Sequence, residues 1–229
     1  MKKISTILLL GSILTSGWLQ AQEMRDRVIT TAVPFLLVAA DARAAGMGDQ
    51  GVATEVDAYS QQWNPAKFAF ATSEHGIAIS YTPYLSDIVS DIFLGGLSYH
   101  YKIDDRSAFA GSLRYFSLGT IETRQNIEQV PLLVSPNELT FDASYSLKLS
   151  ETFSMAVAGR YLRSDLGLSD GQDLGAAGSF GVDVAAFYQS EAVVYNNFDG
   201  VWRFGVNISN IGPKMSYDDA GQENFIPTN

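Results

Sequence analysis

The sequence predicts an all-β protein: a transmembrane antiparallel β-barrel with an irregular N-terminal plug segment. Three observations predict it. From Gly76 onward, large apolar residues alternate with small polar ones at a period of two, the mark of strands whose two faces meet different surroundings. Most of seven such runs reach about 9–13 residues, enough for a tilted strand to cross a bilayer. Their other face is mostly Ser, Gly and Ala with isolated charges, whereas a soluble sandwich uses shorter strands and a charged solvent face. An apolar wall towards lipid and a small polar face towards a lumen is the transmembrane-barrel pattern.

Composition agrees. The 229 residues are 46% hydrophobic and 12% aromatic, with 17% charged against about 25% in ordinary globular domains. Twenty-five acids against fifteen bases give a net charge of −10, which excludes a nucleic-acid binder because phosphate would be repelled. There is no cysteine, hence no disulfide and no thiolate metal site. With His75 and His100 the only histidines, a zinc site would rest on carboxylates. No metal and no cofactor is expected.

The elements follow in order. Residues 1–21 read as a signal peptide: Lys2 and Lys3, an apolar run from Ile4 to Leu14, then Leu19-Gln20-Ala21 before the cut. The run is too short and too interrupted for a transmembrane helix. Its removal leaves the chain two charges more negative. Residues 22–73 form the plug segment, with Val33 to Val38 as its one long apolar run and Ala42 to Ala45 as a short helix capped by Asp41. Gly46, Gly48 and Gly51 break any regular element there.

Residues 74–229 form the wall. On successive strands one face carries Ile77, Ile79 and Tyr81; Phe93, Leu97, Tyr99 and Tyr101; Phe109, Leu113 and Tyr115; Phe141, Tyr145 and Leu147; Phe153, Met155, Val157 and Tyr161; Phe180, Val182, Val184 and Tyr188; Trp202, Phe204, Val206 and Ile208. The links at 103–106 and 149–152 are short, while those at 83–90, 118–138 and 164–175 are long. Short periplasmic turns and long outer loops are the rule for such barrels, so the first strand runs outward and the plug segment begins in the periplasm. Tyr81, Tyr84, Tyr115 and Tyr161 then fall in an outer aromatic belt, and Tyr99, Tyr101, Phe153, Tyr188 and Trp202 in an inner one. Seven is an odd number, and an open edge in lipid leaves backbone groups unpaired. Met215 to Asn229 reads as an outer loop ending before its returning strand, so the 229 residues are expected to be the N-terminal portion of a larger barrel.

Signals for chemistry are weak. Gly46-Met47-Gly48-Asp49-Gln50-Gly51 matches G-x-G-x-x-G but lacks the strand–turn–helix setting of a dinucleotide site; a tight turn is the expected role. His100 is expected on the lumen side beside Lys102, and no spacing pairs it with a nucleophile, so no catalytic residue and no enzyme activity is expected. Asp165, Asp170 and Asp173, and Asp218, Asp219 and Glu223, lack the ligand spacing of a calcium loop. The Asn207-Ile208-Ser209 sequon lies within a strand and reads as structural.

Longer motifs carry a resemblance. The run from Val33 through Asp49, containing Pro34-Phe35, Asp41-Ala42-Arg43 and Gly46-Met47-Gly48-Asp49, resembles the PorV family of outer-membrane proteins of the type IX secretion system. So do Gly51-Val52-Ala53-Thr54, Asp57-Ala58-Tyr59-Ser60, Trp63-Asn64-Pro65-Ala66-Lys67-Phe68-Ala69-Phe70 and Asn207 through Tyr217. The broader likeness is to FadL-type barrels, whose N-terminal plug shares Ala-Arg-Ala, Gly-x-Gly and Asn-Pro-Ala. The resemblance implies a FadL-like barrel of roughly fourteen strands, of which seven are present. It implies a non-enzymatic component that receives cargo with C-terminal sorting domains from a SprA/Sov-like translocon and passes it to a complex containing a PorU-like sortase. The motif positions Pro34, Phe35, Asp41, Arg43, Gly46, Met47, Gly48, Asp49, Trp63, Asn64 and Pro65 are carried over as plug or partner residues. Outer-loop partner candidates are Pro83, Tyr84, Lys214, Tyr217, Asp218 and Asp219. The partners implied are the translocon, the sortase, the cargo and outer-membrane lipid. The alternative is a FadL-type uptake channel for hydrophobic solutes such as fatty acids, with an apolar pocket near the plug. An outer-membrane hydrolase is a third, weaker reading.

Overall fold

Alternating sequence produces long strands, and the order in which they pair is the simplest available. The computed structural model describes residues 31–124, 130–166, 176–217 and 223–228; the signal-peptide region lies outside them. Seven strands form one antiparallel sheet in chain order: β1 (His75–Pro83), β2 (Ile92–Lys102), β3 (Ser107–Leu118), β4 (Asn137–Ser150), β5 (Phe153–Asp165), β6 (Ala177–Gln189) and β7 (Arg203–Ile211). Each predicted run is a strand. Several extend beyond the legible alternation, because the ladder continues through Asn137↔Ser117 and Asn137↔Asp165 at one end of β4. β1 and β7 are the edges, so this is an open sheet rather than a closed barrel. Among the described residues no helix is long and apolar enough to cross a membrane.

The two faces are inverted relative to a soluble protein. Ile79 is 74% exposed and Val157 57%, and Phe109, Phe141, Phe180 and Phe204 share that outer face. Thr140, Asp142 and Ser154 on the opposite face are fully buried. What buries them is the N-terminal segment. Its 3-10 helix Pro65–Phe70 touches strands from β2 to β6, so the sheet curves around it. Alanines make the close approach possible: Phe68 packs on Ala108 and Ala110, and Ala66 on Ala156, Ala185 and Phe187. A third cluster joins Val33, Phe35 and Leu36 to Leu94, Leu162, Met215 and Ile226.

Aromatic pairs lie at both ends of the outer face. Tyr81–Phe93 and Phe93–Tyr115 meet at 5.2 and 5.9 Å, and Tyr161–Phe180 at 5.2 Å. At the short-turn end His75 stacks on Tyr101 at 4.9 Å, and Tyr188–Phe204 stand 6.0 Å apart. Tyr84 departs from its expected outer-belt place. Beyond the end of β1 its ring turns inward, edge-on to Phe116 at 5.8 Å, because Phe35 and Phe116 there offer an apolar surface.

Two connections also differ from expectation. The link from β6 to β7 spans residues 190–202 and carries a two-residue ribbon, Val193–Val194 with Asp199–Gly200, at the end where the other turns are short. The stretch after β7 does not project away from the sheet. Met215–Ser216 pairs with Glu223–Asn224, the Ala32 N–H donates to the Phe225 carbonyl at 2.9 Å, and Met215 and Ile226 are buried. These two buried apolar side chains account for the return of this acidic stretch to the interior.

The inverted pattern makes a discriminating prediction. Val157→Arg places a charge in mid-strand on the apolar face. In a bilayer it should lower the unfolding free energy by about 2–4 kcal/mol, measured by urea titration from lipid vesicles, while Val157→Leu should change little. In a water-exposed sheet the same charge would move stability by no more than about 0.5 kcal/mol.

Candidate functional site

The residues between Thr31 and Ala71 hold their irregular course through side-chain caps and a few buried polar anchors. Val33 takes a left-handed φ of 47° and Pro34 then opens the 3-10 helix Pro34–Leu37, its ring presetting the helical φ. That turn drives Phe35 and Leu36 into the interior, Phe35 stacking on Phe116 with ring centroids 6.0 Å apart. Asp41 is the predicted cap: its Oδ1 accepts from the Ala44 N–H at 2.7 Å at the start of the helix Ala42–Gly46. Its Oδ2 accepts from Trp63 Nε1 at 3.0 Å, which ties two of the sequence motifs together. Gly48, at φ +76°, and Asp49, at φ 59°, reverse the chain, so the glycine-rich run is a turn. Gly51 lies flat against the Trp63 indole, where a β-carbon would collide.

Asn64 and Lys67 fix this segment to itself and to the sheet. Asn64 Oδ1 accepts from the Ala66 N–H at 3.1 Å, and its Nδ2 donates to the carbonyls of Val52 and of Ala186 on β6, both at 3.0 Å. Two helical turns, Ser60–Trp63 and Pro65–Phe70, flank it; no apolar period announced either. The buried Lys67 Nζ donates to the Gly51 carbonyl at 2.8 Å and to Thr54 Oγ1 at 3.1 Å. Its burial lowers the ammonium pKa from 10.5 to about 8, against a partial upward pull from Asp57. The wall answers with small polar groups: Ser144 Oγ donates to Gln61 Oε1 at 2.5 Å, Ser154 Oγ to the Ala66 carbonyl at 2.7 Å, and Asn207 Nδ2 to the Trp63 carbonyl at 2.9 Å.

The sequence-predicted positions therefore divide. Phe35, Asp41, Trp63, Asn64 and Pro65 are packing and anchoring residues, with Pro34 starting the turn that seats Phe35. Arg43 lies near the surface, 3.2 Å from Asp57, and Gly46, Met47, Gly48 and Asp49 are exposed. Pro83 is exposed at the end of β1. Lys214 pairs with Glu223 at 3.3 Å and lies over the Phe225 ring. Tyr84 and Tyr217 face the interior cluster rather than a free loop surface. Asp218, Asp219, Asp170 and Asp173 lie outside the described residues. His100 is on the inner face as expected, buried and packed on Phe68 at 4.9 Å between ring centres.

One buried network was not foreseen. Arg160 on β5 is bracketed by Asp142 on β4, through its Nε, and by Asp183 on β6, 3.0 Å from its Nη2; its Nη1 donates to Asn210 Oδ1. Ser112 Oγ donates to Asp142 Oδ2 at 2.8 Å, and the Asn210 N–H to Asp183 Oδ1 at 2.7 Å. Asn210 reaches this place through a bulge, φ 61°, where β7 shifts register against β6 between Ile208 and Ile211. The signal was available: isolated charges at inward positions on three successive strands, with Asp142↔Arg160 directly paired in register. A bulge is invisible to alternation alone, so Asn210 was not.

Cavities adjoin the segment. A cleft of about 560 Å³ beside the end of β1 is lined by Leu37, Val38, Ala39, Ala42, Ala45 and Tyr84 together with Asp41, Asp49 and Thr82. A chamber of about 100 Å³ lies between the segment and the wall.

The geometry predicts two stability effects. Arg160→Met leaves two buried carboxylates uncompensated and should cost about 3–5 kcal/mol, read as a lower denaturant midpoint. Lys67 is charged in both states below about pH 8 and bears its desolvation cost there. As pH rises from about 8 to 10.5, the folded state releases its proton first, so stability should rise by roughly 2–3 kcal/mol relative to Lys67→Met. A flat difference between the two proteins across that window would contradict this.

The family model for the type IX secretion system protein PorV matches the chain over residues 20–229. No curated protein matches it.

Proposed function

The chain belongs to the PorV family of type IX secretion system proteins, and from that premise we propose that it is an outer-membrane, non-catalytic platform for cargo carrying C-terminal sorting domains. In this reading it receives cargo from a SprA/Sov-like translocon and hands it to a surface complex containing a PorU-like sortase. The observation that carries it is the inverted sheet. Its apolar face suits lipid, and its polar face is closed by an N-terminal segment fixed to the strands by buried hydrogen bonds. A filled interior suits a docking body better than an open conduit. The remaining wall would come from further strands pairing on the edges of β1 and β7. The long connections at one end, with Pro83 and Lys214 at their roots, are the surface offered to partners, and residues 1–21 serve as the export signal.

One observation favours a second reading. The cleft beside β1 is mostly apolar and, at about 560 Å³, falls within the size range of small-molecule sites, which suits a FadL-type channel for hydrophobic solutes. Deletion of the gene separates the two. The platform reading predicts loss of surface attachment of proteins with C-terminal sorting domains, restored by the wild-type gene, with fatty-acid uptake unchanged. Normal cargo attachment with failed fatty-acid uptake would overturn it in favour of the channel.

A further inference from the structure

The connection from β6 to β7 differs in chemistry as well as length from the turns beside it. Between β2 and β3, and between β4 and β5, the chain reverses within a few exposed residues, Asp104, Asp105, Arg106 and Glu151 among them. Residues 190–202 carry only two charged side chains, Glu191 and Asp199, beside a row of exposed apolar ones; Phe198 is 64% exposed and Trp202 57%. Strand pairing puts the rings on one face. Gly200 stands opposite Val193, so Val193 with Tyr195 and Gly200 with Trp202 share that side by the period of two. Tyr195 stacks on Phe198 at 4.8 Å between ring centres, and Tyr195 Oη accepts from Trp202 Nε1 at 2.8 Å. Gly200 lies beneath both rings, where a β-carbon would sit 3.1 Å from one and 3.2 Å from the other.

The same alternation carries this face onto the wall. Trp202 precedes Phe204, Val206 and Ile208, the exposed apolar side of β7, and Phe204 pairs with Tyr188 on β6. The ribbon thus extends the apolar outer surface past the end of the strands. Root and tip of its backbone are paired: the Ser190 N–H donates to the Trp202 carbonyl and the Tyr195 N–H to the Phe198 carbonyl, both at 2.9 Å, and Ser190 Oγ accepts from the Trp202 N–H at 2.9 Å. A ribbon closed in this way leaves bulk water at little cost in unpaired groups. Tyrosine and tryptophan, apolar bodies with one polar tip, suit the headgroup layer of a bilayer. We propose that the 190–202 ribbon is a membrane-interface anchor, lying in the headgroup layer of the leaflet at the short-turn end and holding zwitterionic phospholipid through Tyr195, Phe198 and Trp202. The ribbon contains no basic residue, so its attachment is apolar rather than electrostatic. Its effect is to fix the depth at which the β6–β7 end of the wall sits. The proposal rests on the outer-membrane reading.

The absence of cysteine allows a single fluorophore to be placed at will. The full-length protein labelled at Val193→Cys and reconstituted in phosphatidylcholine vesicles tests the proposal, with Val157→Cys in mid-strand and Asp105→Cys in a short turn as references. The Val193 label should be quenched most strongly by a nitroxide on the lipid headgroup, the Val157 label by a nitroxide deep in the acyl chain, and the Asp105 label by aqueous iodide. High salt should change none of these, since no ion pair with lipid is involved. Adding Tyr195→Ser and Phe198→Ser should cost the Val193 label its lipid quenching and open it to iodide; unchanged quenching in that variant would overturn the role of the rings. Should Val193→Cys fail to fold, Phe198→Cys carries the same label with the same expected outcomes. If iodide reaches the ribbon label as freely as the Asp105 label while the Val157 label stays in lipid, the anchor is overturned and the membrane reading stands. A Val157 label open to iodide and untouched by the acyl nitroxide overturns both. A ribbon label shielded from all three quenchers means that protein, such as a second copy of the chain, covers the ribbon, and overturns the anchor equally.

Discussion

The inner face of the sheet cannot stand uncovered, and most of the structure follows from that. Serines, two aspartates, two arginines and a glutamate on β3 to β6 are out of water, and each such group must find a partner or carry its desolvation cost. The strands meet part of the demand among themselves, with Arg160 shared between Asp142 and Asp183. The rest falls to the N-terminal segment, whose backbone carbonyls at Trp63 and Ala66 accept from Asn207 and Ser154. The segment thus serves as the sheet's missing polar solvent. Its course is set by where those donors stand.

The same constraint explains what could be read from the sequence. Alternation reveals the strands because one face is apolar throughout and the other small, so Phe109, Gly111 and Leu113 against Ala110 and Ser112 already fix which side faces in. The Asp41 cap was legible because a short carboxylate before Ala-Arg-Ala-Ala has one obvious use, and the turn at Gly48 because a glycine run between irregular stretches signals a tight turn. The inward course of Tyr84, Met215 and Ile226 was not legible. Each sits in a stretch without a period, and its direction is decided by tertiary neighbours such as Phe116 and Val33. The turns around Asn64 were hidden for a similar reason: four- and six-residue helices are too short to display an apolar face.

Those short helices also bear on what the segment can do. Helices of four to six residues have no stability of their own in water, so the segment owes its shape to the sheet. The dependence runs both ways, since Asn64 bridges Val52 and Ala186 and Lys67 satisfies the Gly51 carbonyl from inside the fold. Moving the segment out of the concave face would break these bonds together and expose the aspartates and serines beneath, so displacement would be cooperative and costly.

That cost weighs the two functional readings against each other. A conduit along the inner face needs the segment to yield, and its anchors at Asn64, Ser144, Ser154 and Asn207 oppose this at several strands at once. A route for a hydrophobic solute would have to use the cleft at the β1 end, where the lining is mostly apolar. A platform needs no such movement. Its working parts are an apolar outer face for the membrane, a rigid filled interior and connections of different length at one end, and rigidity there is an advantage because a docking surface held in place loses little entropy when a partner binds. The buried hydrogen bonds that close the interior thus favour the platform on the physical cost of the alternative, independently of the family match.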